Sequence, residues 1–362
     1  MTNAQILNKL FAEEKINLKK GKIFGTKPQK IQTPVNFDRI EGMMLGLAIG
    51  DSLGNRSEGM NPSERFLRFG EIRDYLPNKL ANEKGVGLPS DDTQLAFWTL
   101  EQILEDGEFV PENVAERFCR ERIFGIGASV REFTYNIWTG KPWYESGPKS
   151  AGNGALMRIA PILIPHLITS DESLWVDTAH CAWSSHNDSA SIASCMAFIN
   201  MLWQLLDMKE PPAPDWWLKT FIQTAKDLEI NNSYRPRGGD YADFVGTLSE
   251  FVEKSVTQAF QKKMPVVEAC NSWYSGAYLL ETVASVIYIL MKHGGDFEEA
   301  VIRAVNDTRD NDTIAAIVGA GVGALHGKRK IPKRWIENLT GRTSETNDGR
   351  IFELLEILRL QT

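Results

Sequence analysis

The chain is poor in cysteine and histidine, with four and five in 362 residues. Cys119, Cys181, Cys195 and Cys270 form no C-x-x-C pair, which argues against a zinc site and against a disulfide scaffold. A reducing cytoplasm is the expected compartment. No basic segment followed by an apolar one opens the chain, so no secretory leader is expected. Long apolar runs are missing too. The longest uncharged stretch, Ser189–Leu206, carries Ser189, Ser191, Ser194, Asn200 and Gln204 and reads as a buried helix rather than a membrane span. An excess of positive charge is also lacking. The formal charge of −7 excludes a broad nucleic-acid-binding surface. Alternating runs of Val, Ile and Thr are scarce, so an extended sheet is not expected.

What is there has helical period. Segments 38–54, 91–105, 112–124, 174–181, 188–207, 214–228, 246–261, 276–293, 296–305, 313–326 and 348–360 predict an all-α, multi-helix domain over residues 38–362. Ahead of it lies a basic extension, residues 1–37. Seven lysines against two glutamates put +5 on residues 1–34 and leave −12 for the rest. Ala4–Leu18 has the stripe of an amphipathic helix, with Ile6, Leu7, Leu10, Phe11 and Leu18. Lys19–Pro34 contains Gly21, Gly25, Pro28 and Pro34 and reads as an extended or mobile linker.

Two glycine series recur every fourth residue: Gly42, Gly46, Gly50 and Gly54, then Gly319, Gly323 and Gly327. That spacing puts each series on one helix face. A helical glycine costs about 1 kcal/mol against alanine. Close approach of two backbones offsets such a cost, either as plain core packing or to bring helix ends together around a pocket.

Three acidic stretches border apolar helices: "GDSLG" with Asp51, "PSDDTQLAFWTL" with Ser90, Asp91 and Asp92, and "RDNDTIAAIVGAGVG" with Asp310, Asp312 and Thr313. Helix capping accounts for each singly, and Asp91 with Gln94 resembles a capping box. A cap needs one oxygen, however, and adjacent carboxylates beside apolar helices repel each other. A cation removes the conflict. The donors are all hard oxygen, which favours Mg²⁺, Mn²⁺ or Ca²⁺. Two separated helix starts suit a two-metal site. "SAGNGALMRIAP" adds a glycine-flanked Asn153, whose loop backbone can approach phosphates or sugar hydroxyls or can be an ordinary turn. "WSSHND" adds His186 ahead of a helix.

In this order the motifs "EGMMLGLAIGDSLG", "SDDTQLA", "AGNGALMRIAP", "SSHNDSA", "SGAYLLETV" and "RDNDTIAAIVGAGVGALHG" resemble the ADP-ribosylglycohydrolases of the dinitrogenase-reductase-activating type. The likeness runs from about Asp38 to Trp335. It implies an all-α fold with a central dinuclear cleft holding two Mg²⁺ (or Mn²⁺). It also implies removal of ADP-ribose from modified proteins, often from arginine. Carried over motif by motif, the metal ligands are Ser90, Asp91, Asp92, Asp310, Asp312 and Thr313, with Asp312 as the bridge. Asp51 lies near the site, Gly152, Asn153 and Gly154 cradle the ribose or diphosphate, and His186 lines the pocket. Asp91 and Asp92 are the catalytic carboxylates, and Asp92 is the expected proton carrier. The departing guanidine needs an acid, and the positive charge developing on the sugar needs nearby carboxylates. One departure is local: Thr308 and Arg309 stand where relatives often have two glycines. Arg309 then either forms cleft wall or meets a substrate phosphate.

Some relatives act as immunity proteins against secreted ADP-ribosyltransferase toxins, and an extension of such a protein can plug the toxin's active site. Residues 1–37 look like such an extension, with Ile6, Leu7, Leu10, Phe11, Ile23 and Phe24 as anchors. Three roles stay open: hydrolase and toxin block together, a toxin-sequestering protein with secondary catalysis, or a general ADP-ribosyl-protein hydrolase. The expected partners are an ADP-ribosylated protein and, through the extension, a transferase toxin, with neither nucleic acid nor membrane.

Overall fold

The computed structural model describes residues 1–32, 34–230 and 233–361. Asn3–Ala12 forms α1, Phe37–Gly54 α2, Pro62–Phe69 α3 and Asp91–Asp106 α4. Pro111–Arg117 forms α5, Ala128–Trp138 α6, Ser173–Trp183 α7 and Ser189–Leu205 α8. Pro214–Leu228 forms α9, Leu248–Gln261 α10, Val266–Ser272 α11 and Leu279–His293 α12. Phe297–Asp307 forms α13, Asn311–His326 α14, Lys333–Glu337 α15 and Arg350–Gln361 α16. Among the described residues the only β-pairing is isolated bridges, so the fold is all-α. No helix among them is long and apolar enough to cross a membrane.

Helices α2 and α14 form the axis of the core, and both are buried almost throughout. They run antiparallel with the two glycine series face to face. A Cβ on Gly46 would stand 2.1 Å from the carbonyl oxygen of Gly319, and one on Gly50 2.1 Å from that of Ala315. No side chain fits there, which explains the repeated glycine. The seam reaches the chemistry. A Cβ on Gly54 would lie 2.5 Å from the backbone of Asp312, so the end of α2 is pressed onto the acidic start of α14.

Some boundaries differ from the periodicity. The helix expected over 112–124 stops at Arg117. Beyond it, Gln94 holds the chain as a loop, donating to the carbonyls of Arg122 (3.0 Å) and Thr343 (2.9 Å) and accepting from the Phe124 amide. The helix expected from 276 starts at Leu279, because Tyr274 and Ser275 just before it hold φ of +76° and +46°. Short helices α3, α6, α11 and α15 were not expected. The first of them carries visible start signals, an Asn61/Glu64 capping box and Pro62.

The extension folds back on the body. Helix α1 packs on α7, ending at Ala12 rather than Leu18, and Leu7, Leu10, Ile16, Leu18 and Ile31 join the core. Two buried indoles tie down the following stretch. Trp175 donates to the Thr26 carbonyl (2.7 Å) and Trp203 to that of Gln29 (2.6 Å). The segment expected to be an extended or mobile linker, Lys19–Pro34, includes residue 33 outside the described residues; over Lys19–Gln32 the chain makes a short 3-10 turn at Lys22–Gly25 and is docked. Every lysine of the arm stays exposed.

Candidate active site

The acidic stretches meet where α2 ends and α4 and α14 begin. The residues at the cap positions do not act as caps. Ser90 and Asp310 occupy the cap positions of α4 and α14, yet neither side chain bonds the helix amides. Asp51, fully buried, accepts instead from the Ser90 amide (2.9 Å) and hydroxyl (2.7 Å), from the Thr93 amide (3.2 Å) and hydroxyl, and from Asn55 (3.1 Å). It binds the end of α2 to the start of α4 and so aims Asp92 inward.

Two groups of carboxylates result. Asp51, Asp92 and Asp312 bring one oxygen each within 4.8 Å of the others, and so do Glu58, Asp310 and Asp312. Asp312 belongs to both. Burial pushes Asp92 and Asp312 well above the usual carboxylate range, and neighbouring carboxylates add to it. Asp310 is pushed up to about 7 by burial, against a hydrogen bond from Asn153 that lowers it. Asp91, half-buried beside these groups, is raised well above its usual range by lost hydration and then by the charge of Asp51.

The cleft they border encloses about 260 Å³, and no lysine or arginine lines it. The nearest buried cation, Arg65, points all its donors at oxygens of Ser57, Met60, Asn306, Thr308 and Arg309. It fastens the turn carrying Glu58 to the chain entering α14, and the Gly59 amide adds a bond to the Arg309 carbonyl (3.0 Å). The carboxylates thus face each other across a lining without a cationic side chain, Arg237 acting on Asp310 only through its charge from outside that lining. Among the described residues the buried Oδ1 of Asp92 has no hydrogen-bond partner. Hard oxygen donors, an orphaned carboxylate oxygen and uncompensated charge fit a divalent cation.

The opposite wall of the cleft comes from the Gly152–Gly154 loop and His186. The loop is pinned by the Leu279 amide to the Ala151 carbonyl (3.0 Å) and by the Asn153 amide to that of Ala277 (3.3 Å). A Cβ on Gly154 would sit 3.0 Å from the His186 ring, so glycine lets the two close together. Arg158 donates to the Ser185 hydroxyl (2.5 Å), which leaves that hydroxyl to donate to His186 Nδ1 (2.9 Å). The proton of the neutral ring is then on Nε2, a donor aimed into the cleft. Burial, with the nearby Arg158 charge, pushes His186 down to about 3, so the ring stays neutral. A larger groove, about 1090 Å³, separates the arm from α9 and contains none of the acidic motif residues.

The sequence profile of ADP-ribosylglycohydrolase matches residues 32–360. The chain belongs to the ADP-ribosylglycohydrolase family. It is 30% identical to an uncharacterized protein of Archaeoglobus fulgidus, over 89% of this chain and 99% of that one. It is 26% identical to the ADP-ribosylarginine hydrolase Tri1 of Pseudomonas putida, over 84% of this chain and 74% of the relative. A solved structure titled "ADP-ribosylglycohydrolase-related protein complex" superposes with a TM-score of 0.64 at 25% identity, over 90% of this chain and 99% of the other.

Within this glycohydrolase fold the expected site residues divide. Asp91, Asp92, Asp310, Asp312, Thr313, Gly152, Asn153, Gly154 and His186 all border one cleft. Ser90 lies behind it, its hydroxyl between Asp51 (2.7 Å) and Asp92 (3.3 Å). Asp51 was expected beside the substrate, but it does not line the cleft. Its donors hold it in the joint, where it joins the acidic group. Asn153 borders the cleft and directs its amide to Asp310 and to the Thr282 hydroxyl (3.0 Å). Arg309 stacks its guanidinium on Tyr274, 4.4 Å from the ring centroid, donates to Asn61, and is absent from the cleft lining. Glu58 and Arg65 were missed. Glu58 sits in an irregular turn whose residues show no period, and the position of its carboxylate is set by contacts with residues some 250 positions later.

Proposed function

We propose that the protein is a divalent-cation-dependent hydrolase that removes ADP-ribose from modified protein side chains, with arginine as the linkage. The observation that carries this is the pair of buried, all-oxygen acidic groups sharing Asp312, with Asp92 Oδ1 unpartnered. The name of the Pseudomonas relative, an ADP-ribosylarginine hydrolase, supports the linkage. Ser90, Asp92, Asp310, Asp312 and Thr313, together with Asp51 and Glu58, are the residues that would hold two Mg²⁺ or Mn²⁺, with Asp91, expected as a further ligand, outside both acidic groups. Such ions supply counter-charge to the carboxylates and polarise the ribose hydroxyls and an attacking water.

The rest is the chain's own work. The backbone of the Gly152–Gly154 loop and the Nε2 proton of His186 face the diphosphate end of the ligand. The anomeric carbon lies at the acidic end. Carboxylates stabilise the positive charge that develops there as the C–N bond breaks. Asp91 lies outside both three-residue groups and faces the cleft, which places it better than Asp92 to give a proton to the departing guanidine. The test is release of ADP-ribose from an ADP-ribosylarginine protein by metal-stripped enzyme. Release that appears only when Mg²⁺ or Mn²⁺ is added supports the reading, and release undiminished in excess chelator overturns it.

A second role, blocking a transferase toxin through residues 1–37, is favoured by seven exposed lysines that suit an anionic-ligand cleft. The apolar anchors weigh against it, because Leu7 and Leu10 are buried against the chain's own body. Deletion of residues 1–31 leaves toxin affinity unchanged if the arm has no such role.

A further inference from the structure

The acidic cleft does not end at the carboxylates. At Glu58 and Gly125 it opens into a second groove of about 530 Å³. The two spaces differ in charge. The cleft has five carboxylates in its lining and no cation, whereas the groove has Arg56, Arg122 and Arg342 against Glu345 and the shared Glu58. That is a local reversal on a body that carries −12 outside the arm.

The guanidiniums are weakly engaged. Arg122 pairs with Glu345 (2.7 Å), but both side chains are more than half exposed, where such a pair contributes little. Arg56 donates to the Pro77 carbonyl (3.2 Å) and, among the described residues, pairs with no carboxylate. Arg342 stacks over Phe124, 5.1 Å from the ring centroid, and its buried Nε has no partner. Gln94 holds the loops bearing Arg122 and Arg342 side by side through the Arg122 and Thr343 carbonyls, so the arginines stand on a braced rim.

The groove's place in the reaction follows from the cleft. His186 and the glycine loop line the cleft alone, whereas Glu58 and Gly125 line both the cleft and the groove. A ligand with its diphosphate on His186 and the loop and its anomeric carbon at the acids leaves that shared mouth as the way into the groove for whatever is attached to the carbon. We propose that the groove receives the polypeptide flanking the modified side chain and selects segments rich in Asp and Glu. This rests on the hydrolase reading above and adds a substrate class to it.

The test uses fluorescein-labelled ADP-ribosylarginine peptides, identical except for flanks of Asp/Glu, Ser or Lys, with the full-length enzyme and Mg²⁺. The expected result is a kcat/KM about tenfold higher for the acidic flank than for the lysine flank at low salt, carried by KM. It should shrink in 0.5 M NaCl and be lost in the Arg122→Gln/Arg342→Gln double variant. Free ADP-ribose binding in that variant should match wild type, which separates loss of the groove from loss of the fold. Equal constants for all flanks, or a preference that survives the double variant, overturns the proposal. So does a short ADP-ribose polymer outcompeting every peptide in an arginine-dependent way, since the groove would then serve phosphates. If no peptide is cleaved, the hydrolase reading fails, and anisotropy of the same peptides still decides whether the groove prefers acidic flanks.

Discussion

The amino-terminal arm and the acidic cleft each concentrate charge of one sign, and they handle it in opposite ways. In the arm the lysines are exposed, Lys15 pairing with Glu145 at the surface (3.0 Å), while buried apolar side chains and the amides of Asn3 and Asn17 fasten it to the body. In the cleft Asp92, Asp310 and Asp312 are buried together and raised in pKa, with no lysine or arginine in the lining between them. Exposed like charges cost little because solvent and salt screen them. Buried ones require a counter-charge. The arm's charge therefore implies no ligand by itself, while the cleft's charge does.

The largest effect that probes this contrast is Asp312→Ala. It removes the carboxylate common to both groups, and hydrolysis should fall below a few per cent of wild type while circular dichroism stays helical. Asp91→Ala should likewise abolish turnover; activity in the double-digit percent range in either variant breaks the account. The metal-free Asp312→Ala protein should melt no lower than wild type, because a buried unpaired charge has been removed.

Next comes the seam that brings the acids together. Gly46→Val places side-chain atoms where the Gly319 carbonyl already sits, so a loss of about 3 kcal/mol or more is expected in urea unfolding. Retention of wild-type stability and metal affinity would mean that the close approach of α2 and α14 is dispensable.

The arm gives the smaller effects. Leu10→Ala should weaken docking by about 2 kcal/mol, read as faster hydrogen exchange over residues 3–31, whereas Lys9→Ala or Lys30→Ala should change stability hardly at all. A smaller effect still is expected at Asn17. Its amide and that of Asn187 bond each other's backbone (3.0 Å and 2.9 Å), next to His186. Asn17→Ala should raise the Kd for ADP-ribose a few-fold with kcat held.

The same contrast marks what was legible in the sequence. "SDDTQ" and "RDNDT" announce their chemistry because adjacent carboxylates at apolar helix starts conflict locally, and four-residue glycine spacing announces a close helix contact. Asp51 and Asn153 stand in motifs that the sequence displays, but the sequence does not display which groups they bond. Their partners, Ser90 and Thr93 for one and Asp310 for the other, lie 39 to 157 residues away, and local pattern does not encode such pairings. Glu58 and Arg65 left no periodic signal. The arm's helix was visible from its stripe, but the surface that receives the stripe is built by α7, which tertiary packing alone brings beside it.

The measurement closest to the central claim is a calorimetric titration of metal-stripped protein with Mg²⁺ or Mn²⁺ at pH 8 and at pH 5. With Asp310 raised to about 7, the metal-free fold keeps this carboxyl protonated at pH 5 and loses that stabilisation as pH rises through 7, the window in which a cation replaces the proton. The account predicts saturable binding of two ions at pH 8. It also predicts proton release and clear weakening at pH 5, and loss of both ions' binding in Asp312→Ala. No binding at either pH, or binding unaffected by Asp312→Ala, would contradict it.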